Sequence, residues 1–345
     1  MNRFEYERAG TVAAAVASGR SDGAAFLAGG TNLLDLMKGN LVRPARLVDI
    51  SRLPGLDRIE FLPDGGVRVG ALVRNSALAH DVKFATNFPA VAEALLSGAS
   101  AQLRNAATVA GNVMQRTRCP YFYDAASACN KRDPGAGCDA RGGHSRLQAV
   151  LGWSAHCIAT HPSDFCVALV AFDAVVEIEG PAGRREVALE AFYLLPGDTP
   201  ERETVLAPGE LIVAIRLPAQ AAAFAGHARY LKIRDRTSYA FAVVSAAAGL
   251  RIAAGRIAAA RLAFGGVAAK PWRAREAEAA LLNREPGRAS FAEAAALALR
   301  DARPSGENGF KIELARRLAV RAFERAAAGG SPLLAPLPAS VVNLA

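Results

Sequence analysis

No stretch of this chain is long and apolar enough to serve as a membrane helix. Such a span needs roughly 18 charge-free apolar residues, and the alanine-rich blocks, such as Val12-Ala13-Ala14-Ala15-Val16, are short. Aromatic residues are scarce at 7%, and no basic run interleaves them. The usual signature of a nucleic-acid-binding face is therefore missing. The net charge of +9 comes from 41 Lys and Arg against 32 Asp and Glu, but the arginines are scattered among Glu and Ala, as in 270–284 and 311–325. Neither a nucleic-acid partner nor membrane insertion is expected. The start, Met1-Asn2-Arg3-Phe4-Glu5-Tyr6-Glu7-Arg8, carries acids and no apolar h-region, so the sequence alone places the protein in the cytoplasm. Also absent are a G-x-G-x-x-G fingerprint, a lysine directly after a glycine loop, any short C-x(2–4)-C knuckle, and a C-x4-C-x2-C run. With five histidines and no Ser/His/Asp set or carboxylate pair, no catalytic side chain is assigned; the chemistry belongs to cofactors.

What is present bounds the architecture. The 345 residues exceed what one hydrophobic core usually serves, so two or three domains of about 100–150 residues are expected. A hydrophobic fraction of 52% and a mean hydropathy of +0.15 exclude wholesale disorder. Residues 1–55 read as a small α/β unit: a helix 11–19 capped by Thr11, a strand 24–27, a turn at Gly29-Gly30, a helix from about Asn32 and a strand 46–50. A more β-rich middle follows, with a strand at 67–70 and a helix at 90–97. Residues 113–152 are rich in Arg, Gly, Asp, Ser and Cys without periodicity and read as a long loop. Order returns with an apolar helix 165–172, a strand 174–179, a turn 180–183 and a strand 211–217. The stretch 219–226 marks a boundary. Three strands (227–233, 241–251, 256–264) and two or three amphipathic helices between Arg273 and Ala327 then make a C-terminal sheet with helices, and 332–345 read as an irregular tail.

Two loops resemble each other chemically. Phe26-Leu27-Ala28-Gly29-Gly30-Thr31-Asn32-Leu33 puts two glycines between a strand and a helix, where backbone without Cβ atoms can approach a pyrophosphate. Thr108-Val109-Ala110-Gly111-Asn112 offers a hydroxyl, bare backbone and an amide. They are either two unrelated turns or opposite sides of one dinucleotide. Ser163 or Asp164 caps the helix that follows; Asp164 could equally accept a bond from a ribityl hydroxyl. Lys232 lies on a strand, where an isolated lysine is normally a solvent-facing edge residue.

All five cysteines, Cys119, Cys129, Cys138, Cys157 and Cys166, fall within 48 consecutive residues. Without a secretion signal, disulfides are disfavoured. The gaps are too long for zinc knuckles, whereas four thiolates on a wrapping loop suit an iron–sulfur cluster as readily as they suit ordinary buried thiols. Cys166 lies on an apolar helical face with Phe165, Val167 and Leu169 and is assigned to the core.

The segments Leu27-Ala28-Gly29-Gly30-Thr31-Asn32, Ala107-Thr108-Val109-Ala110-Gly111-Asn112, Pro162-Ser163-Asp164, Pro208-Gly209-Glu210-Leu211-Ile212, Tyr230-Leu231-Lys232 and Phe264-Gly265-Gly266-Val267-Ala268 occur in a telling order. In that order the chain resembles the FAD-binding subunits of molybdenum hydroxylases, a family that includes xanthine dehydrogenase, carbon monoxide dehydrogenase and aldehyde oxidoreductases. The resemblance covers about residues 3–328. The insertion with Arg118-Cys119-Pro120-Tyr121-Phe122, Ala128-Cys129-Asn130-Lys131-Arg132 and Gly137-Cys138 is most similar to the periplasmic aldehyde oxidoreductase branch, whose FAD subunit carries an extra 4Fe-4S cluster.

The resemblance implies an α+β chain: a two-subdomain FAD-binding domain of the vanillyl-alcohol-oxidase type, then a C-terminal three-stranded sheet with helices. Its divisions are 1–55, 56–220 with a cysteine-rich insertion at 113–157, and 225–328. It implies that Phe26 to Leu33 and Thr108, Ala110, Gly111 and Asn112 hold the FAD pyrophosphate. It places Asp164 at the ribityl or ribose part, Ile212 near the adenine or ring end, and Lys232 by the isoalloxazine. The ligands of a 4Fe-4S cluster would be Cys119, Cys129, Cys138 and Cys157. Ala110 stands where many relatives have glycine. The implied partners are a molybdopterin-binding large subunit and a 2Fe-2S small subunit. Electrons from the clusters of that small subunit would reach FAD and then an external acceptor. The resembling complex is exported folded on a partner's signal, so co-export to the periplasm is the alternative to the cytoplasm. The alternative from another class is a non-catalytic, zinc-stabilised scaffold subunit, which a colourless protein would favour.

Overall fold

The computed structural model describes residues 1–330, so the expected irregular tail at 332–345 lies outside the described residues. The chain opens with β1 (Glu5–Arg8), α1 (Val12–Ser18), β2 (Ala24–Leu27), α2 (Leu33–Lys38) and β3 (Arg46–Asp49). These strands form a parallel sheet in the order β1-β3-β2, with Leu27 and Arg8 both level with Asp49. Thr11 caps α1 by accepting from Ala14 N–H, as expected from its position. β1 escapes a sequence reading because its residues, Glu-Tyr-Glu-Arg, are mostly exposed and charged. It is held by ladder bonds and by Arg46 and Arg8 reaching carboxylates.

β4 (Ile59–Phe61) and β5 (Val67–Gly70) then start a second sheet. Where a β-rich middle was expected, 75–113 is a run of short helices: α3 (Asn75–His80), α4 (Val82–Asn87), α5 (Pro89–Ser97), α6 (Ala101–Ala106) and α7 (Val109–Val113). Each restarts on its own signal. Asp81 caps α4, Pro89 begins α5, Ser100 caps α6 and Thr108 caps α7. One or two turns between signals are too short to show a 3.6-residue period.

The loop after α7 holds only one further helical turn, α8 (Pro120–Tyr123), before α9 (Asp164–Ala171). β6 (Val175–Gly180), β7 (Gly183–Ala188), α10 (Leu189–Phe192) and β8 (Leu211–Leu217) complete an antiparallel sheet in the order β4-β5-β8-β6-β7. Its edge strand β7, Gly-Arg-Arg-Glu-Val-Ala, is too polar to signal a strand. α11 (Ala219–Ala222) and a single 3-10 turn fill the expected boundary.

The last unit has β9 (Ala228–Ile233), β10 (Val244–Ala253), β11 (Arg256–Gly265) and β12 (Trp272–Arg273), covered by α12 (Arg275–Ala280), α13 (Arg288–Ala298) and α14 (Phe310–Ala327). The sheet has a fourth, two-residue strand beyond the three expected, in the order β12-β11-β10-β9. One apolar core joins the first two sheets through α5 and α9, and a second lies under α12–α14. A third, small cluster surrounds four of the cysteines. Cys166 is fully buried in the first core, as expected.

Candidate functional site

The two glycine loops meet. Phe26, Ala28, Gly29, Gly30, Thr31, Asn32 and Leu33 line a cavity of about 440 Å³ together with Thr108 and Gly111 from the other loop. Met114 and Arg116 close one side, and Arg43 and Pro44 another. The cavity sits at the carboxyl end of β2, where open parallel sheets place ligands. The glycines have different reasons to be glycine. A Cβ on Gly29 would run into the Ala106 carbonyl, so its bareness serves the close approach of the two loops rather than open space for a ligand. Gly30 has φ +72°, a left-handed conformation that favours glycine. On Gly111 a Cβ would meet only Thr108 Oγ1 at 2.9 Å, and this glycine lines the cavity.

Thr108 accepts from Gly111 N–H at 3.2 Å, which leaves its own hydroxyl hydrogen available as a donor. Asn32 Oδ1 accepts from Arg116 N–H at 2.9 Å, while its buried Nδ2 has no partner among the described residues. A buried amide donor without a partner costs free energy, so this side chain at the cavity wall is held in place at a cost. Leu27, Ala110 and Asn112 do not line the cavity. Ala110 is tied by its N–H to Ala71 at 3.1 Å, so its methyl does not crowd the loop mouth. Asn112 Oδ1 accepts from Gln115 Nε2 at 2.6 Å and Ser163 Oγ at 2.7 Å.

Through Ser163 the second loop joins another hollow, of about 90 Å³, lined by Arg118, His161, Ser163, Asp164, Phe241 and Gly265 among others. Ser163, not Asp164, caps α9, accepting from Cys166 N–H at 3.1 Å. Asp164 accepts from Tyr230 Oη at 2.5 Å and Lys232 Nζ at 2.7 Å. Lys232 also donates to the Ser97 carbonyl at 3.1 Å, and its side chain is 4% exposed. The expectation of a solvent-facing lysine is therefore corrected. β9 is an edge strand, but α5 packs over it and a buried carboxylate supplies the counter-charge. His161 Nδ1 accepts from Ser163 N–H, leaving the proton on Nε2 without a partner among the described residues. Burial drives its pKa down to about 3, so the ring stays neutral near pH 7. Ile212 sits apart from both cavities, buried in β8 opposite Ile178.

Cys119, Cys129, Cys138 and Cys157 line one small pocket with Thr117, Phe122, Lys131 and His156. Cys129 and Cys138 face each other across an isolated antiparallel bridge. Burial pushes the Cys157 thiol up to about 11 and raises that of Cys119 too. Lys131 opposes the rise at Cys157, while the neighbouring thiols Cys138 and Cys119 add to it. Gln148 Nε2 donates to Cys119 Sγ at 3.3 Å. Cys166 is elsewhere, its Sγ 3.0 Å from Tyr193 Oη. Among the described residues no three Cys, His, Asp or Glu groups converge as they would around one metal ion.

Residues 2–220 match the family described as "FAD binding domain in molybdopterin dehydrogenase", and residues 229–326 match "CO dehydrogenase flavoprotein C-terminal domain". The chain is an FAD-binding subunit of the molybdenum hydroxylase family. It is 50% identical over 319 residues to the aldehyde oxidoreductase FAD-binding subunit PaoB of Escherichia coli (strain K12), covering 92% of this chain and 96% of that protein. The carbon monoxide dehydrogenase medium chain of Afipia carboxidovorans is 27% identical over 94% of this chain and 97% of its own. Among solved structures, carbon monoxide dehydrogenase from Hydrogenophaga pseudoflava superposes with a TM-score of 0.74 at 28% identity, over 95% of this chain and 98% of that one. The mixed helix-and-sheet fold and the role of oxidoreductase subunit follow.

An FAD-binding subunit needs a cradle for a pyrophosphate, and the spare Asn32 amide in a glycine-lined cavity fits one. Reading the sequence missed the residues that support this FAD subunit's sites from a distance: Arg116, Lys131, Gln148, His161, Glu203 and Tyr230. Their partners lie far along the chain, 87 residues between Arg116 and Glu203 and 66 between Asp164 and Tyr230. No local spacing carries that information. Among the described residues no helix is long and apolar enough to cross a membrane.

Proposed function

We propose that this FAD subunit is the electron outlet of a heteromeric, molybdenum-dependent aldehyde oxidoreductase. A molybdopterin-binding large subunit oxidises the substrate, a small subunit relays electrons through 2Fe-2S clusters, and this chain delivers them to an external acceptor. FAD, when bound, supplies the exchange between paired and single electrons. The chain's own residues bind and orient it. Phe26, Ala28, Gly29, Gly30, Thr31, Asn32 and Leu33 together with Thr108 and Gly111 line the pyrophosphate cradle, and Leu27, Ala110 and Asn112 back it from the same two loops. Asp164 and Lys232 serve the ribityl and ring end, and Ile212 supports the adenine or ring end from β8. The same reading divides the chain at 1–55, 56–220 and 225–328. The single observation that carries it is the shared cavity of two glycine loops about eighty residues apart, lined by Gly30, Thr31 and Asn32 from one and Thr108 and Gly111 from the other.

Cys119, Cys129, Cys138 and Cys157 hold a 4Fe-4S cluster on this reading. Four thiols on a loop with almost no secondary structure suit a cluster that the chain wraps. The zinc-stabilised scaffold is the alternative, and metal content together with colour separates the two. Compartment follows the partner on this reading: the cytoplasm, unless a signal-bearing subunit carries the folded complex to the periplasm.

The test is cofactor content. Gly111→Val puts a branched side chain into the cradle, and flavin content is expected to collapse while circular dichroism shows the chain still folded. Full FAD retention would refute the cradle. Cys→Ser at any of the four thiols is expected to abolish the reduced-state paramagnetic signal, whereas Cys166→Ser leaves iron unchanged. A colourless wild-type protein with stoichiometric zinc would replace the cluster with the scaffold.

A further inference from the structure

Between the glycine-loop cavity and the thiol pocket runs one chain of charged side chains. Arg116 lines the cavity, and its backbone N–H orients the Asn32 side chain. Its guanidinium pairs with Glu203 Oε2 and donates to the Lys131 carbonyl at 3.3 Å. Lys131 lines the thiol pocket, with its side chain 5% exposed. Its Nζ is 3.0 Å from Glu203 Oε1 and 2.8 Å from the Pro200 carbonyl. One carboxylate thus holds a cation from each site, one on each oxygen. Burial works against the ionisation of Glu203, but Lys131 and Arg116 more than offset it and hold its pKa below the ordinary value.

We propose that Glu203 is a positioning residue that makes the two cofactor sites one electrostatic unit. It clamps Lys131 beside the thiols and Arg116 at the flavin cradle, so that charge at one site is felt at the other. The inference rests on the FAD and 4Fe-4S reading given above. The physical basis is that partly buried charges are screened weakly and act over longer distances than surface ones. Electron uptake adds negative charge at either site. A carboxylate opposes it and a nearby cation favours it. The coupling is also reciprocal, because a change in charge at one site must alter the other by the same free energy.

The experiment is a pair of redox titrations on the complex purified with its co-expressed subunits, following flavin absorbance and the cluster's paramagnetic signal. Glu203→Gln removes the shared negative charge and leaves both cations uncompensated, so both midpoint potentials are expected to rise. Lys131→Met is expected to lower both, the cluster's by more. A merely structural Glu203 would change cofactor occupancy without moving the potentials of the occupied fraction in this paired, opposite-signed way. Unmoved potentials in Glu203→Gln, or movement at one site alone, would overturn the coupling while leaving both cofactor assignments intact. Should Glu203→Gln lose its cofactors, Lys131→Met decides: a flavin potential that moves with the cluster's supports the proposal, and one that stays fixed overturns it. Wild-type protein with flavin but no iron would overturn the cluster reading itself and the coupling with it.

Discussion

The cysteine-bearing loop and the C-terminal unit are held together by different physics. In the C-terminal unit two ten-residue strands, β10 and β11, share a long antiparallel ladder, and α14 lays a stripe of Ala315, Leu318, Ala319, Ala322, Phe323 and Ala326 against the sheet. Burial of apolar surface, about 25 cal/mol per Å², does most of the stabilising there. The loop has one helical turn and one isolated bridge. Its backbone is satisfied partly by local turns, such as Asn130 N–H to the Gly137 carbonyl and Asp139 N–H to the Ala128 carbonyl, and partly by side chains. Arg132 donates to the carbonyls of Tyr121, Phe122, Asp124 and Ser127. Asn130 bridges Gly137 N–H and the His156 carbonyl, and Arg141 reaches the Ala155 carbonyl. A segment with little regular secondary structure can thus be ordered by tight turns and long polar side chains acting together.

The sharpest way to break that comparison is to remove one element of each kind. Cys157→Ser is expected to abolish iron binding and open 113–162 to proteolysis, while the C-terminal unit stays protected. Phe323→Ala, which deletes a fully buried ring stacked on Phe291 with centroids 5.2 Å apart, is expected to cost about 3–5 kcal/mol. Its iron and flavin contents should remain those of the wild type. Limited proteolysis beside iron analysis checks both. Iron loss in Phe323→Ala, or an intact loop in Cys157→Ser, would show that the two regions fold as one.

A smaller effect isolates the side-chain bonds from the pocket. Arg132→Met leaves four carbonyls without their donor, at a cost of roughly 2–4 kcal/mol to the loop. Faster hydrogen exchange from about 121 to 128, with iron still bound, is the expected signature. Exchange unchanged from wild type would mean that the thiol pocket alone orders the loop.

The same contrast explains what was legible in the sequence. The C-terminal strands and helices announce themselves because burial imposes a period of two or 3.6 on the residues. The parallel opening unit was legible through its glycine turn to the helix from about Asn32 and the strand at 46–50, apart from β1, whose polar residues are held by partners rather than by burial. The two glycine loops were visible as loops, but only the fold brings Thr108 and Gly111 to the same cavity as Asn32. Likewise the thiols were visible as a cluster in sequence, while Lys131, Gln148 and Glu203 were not. Each of those acts through a partner that local spacing cannot predict. The ordinary expectation for a lysine on an edge strand fails at Lys232 for a related reason, since its counter-charge, Asp164, lies 68 residues away in the chain.

The smallest effect comes from the seam between the two regions. Lys311, on the first turn of α14, is fully buried and donates to the Leu147 and Gln148 carbonyls of the loop at 3.0 and 2.8 Å, and to Gly266. Among the described residues no carboxylate accepts from it. Burial, with a further contribution from Arg146, lowers its pKa to about 7. In the unfolded chain an ordinary lysine titrates near 10.4. Between these values the unfolded state binds more protons than the folded one, so stability is expected to rise as pH increases from about 7 towards 10. The limit for one proton is roughly 1.4 kcal/mol per pH unit. Lys311→Met abolishes this contribution while leaving the three carbonyls without their donor. Urea unfolding at pH 7, 8 and 9 should then show the wild type gaining stability with pH more steeply than the variant. Parallel lines for the two proteins would mean that Lys311 keeps its proton in the folded state, and that its three carbonyl bonds suffice to hold a bare cation at the seam.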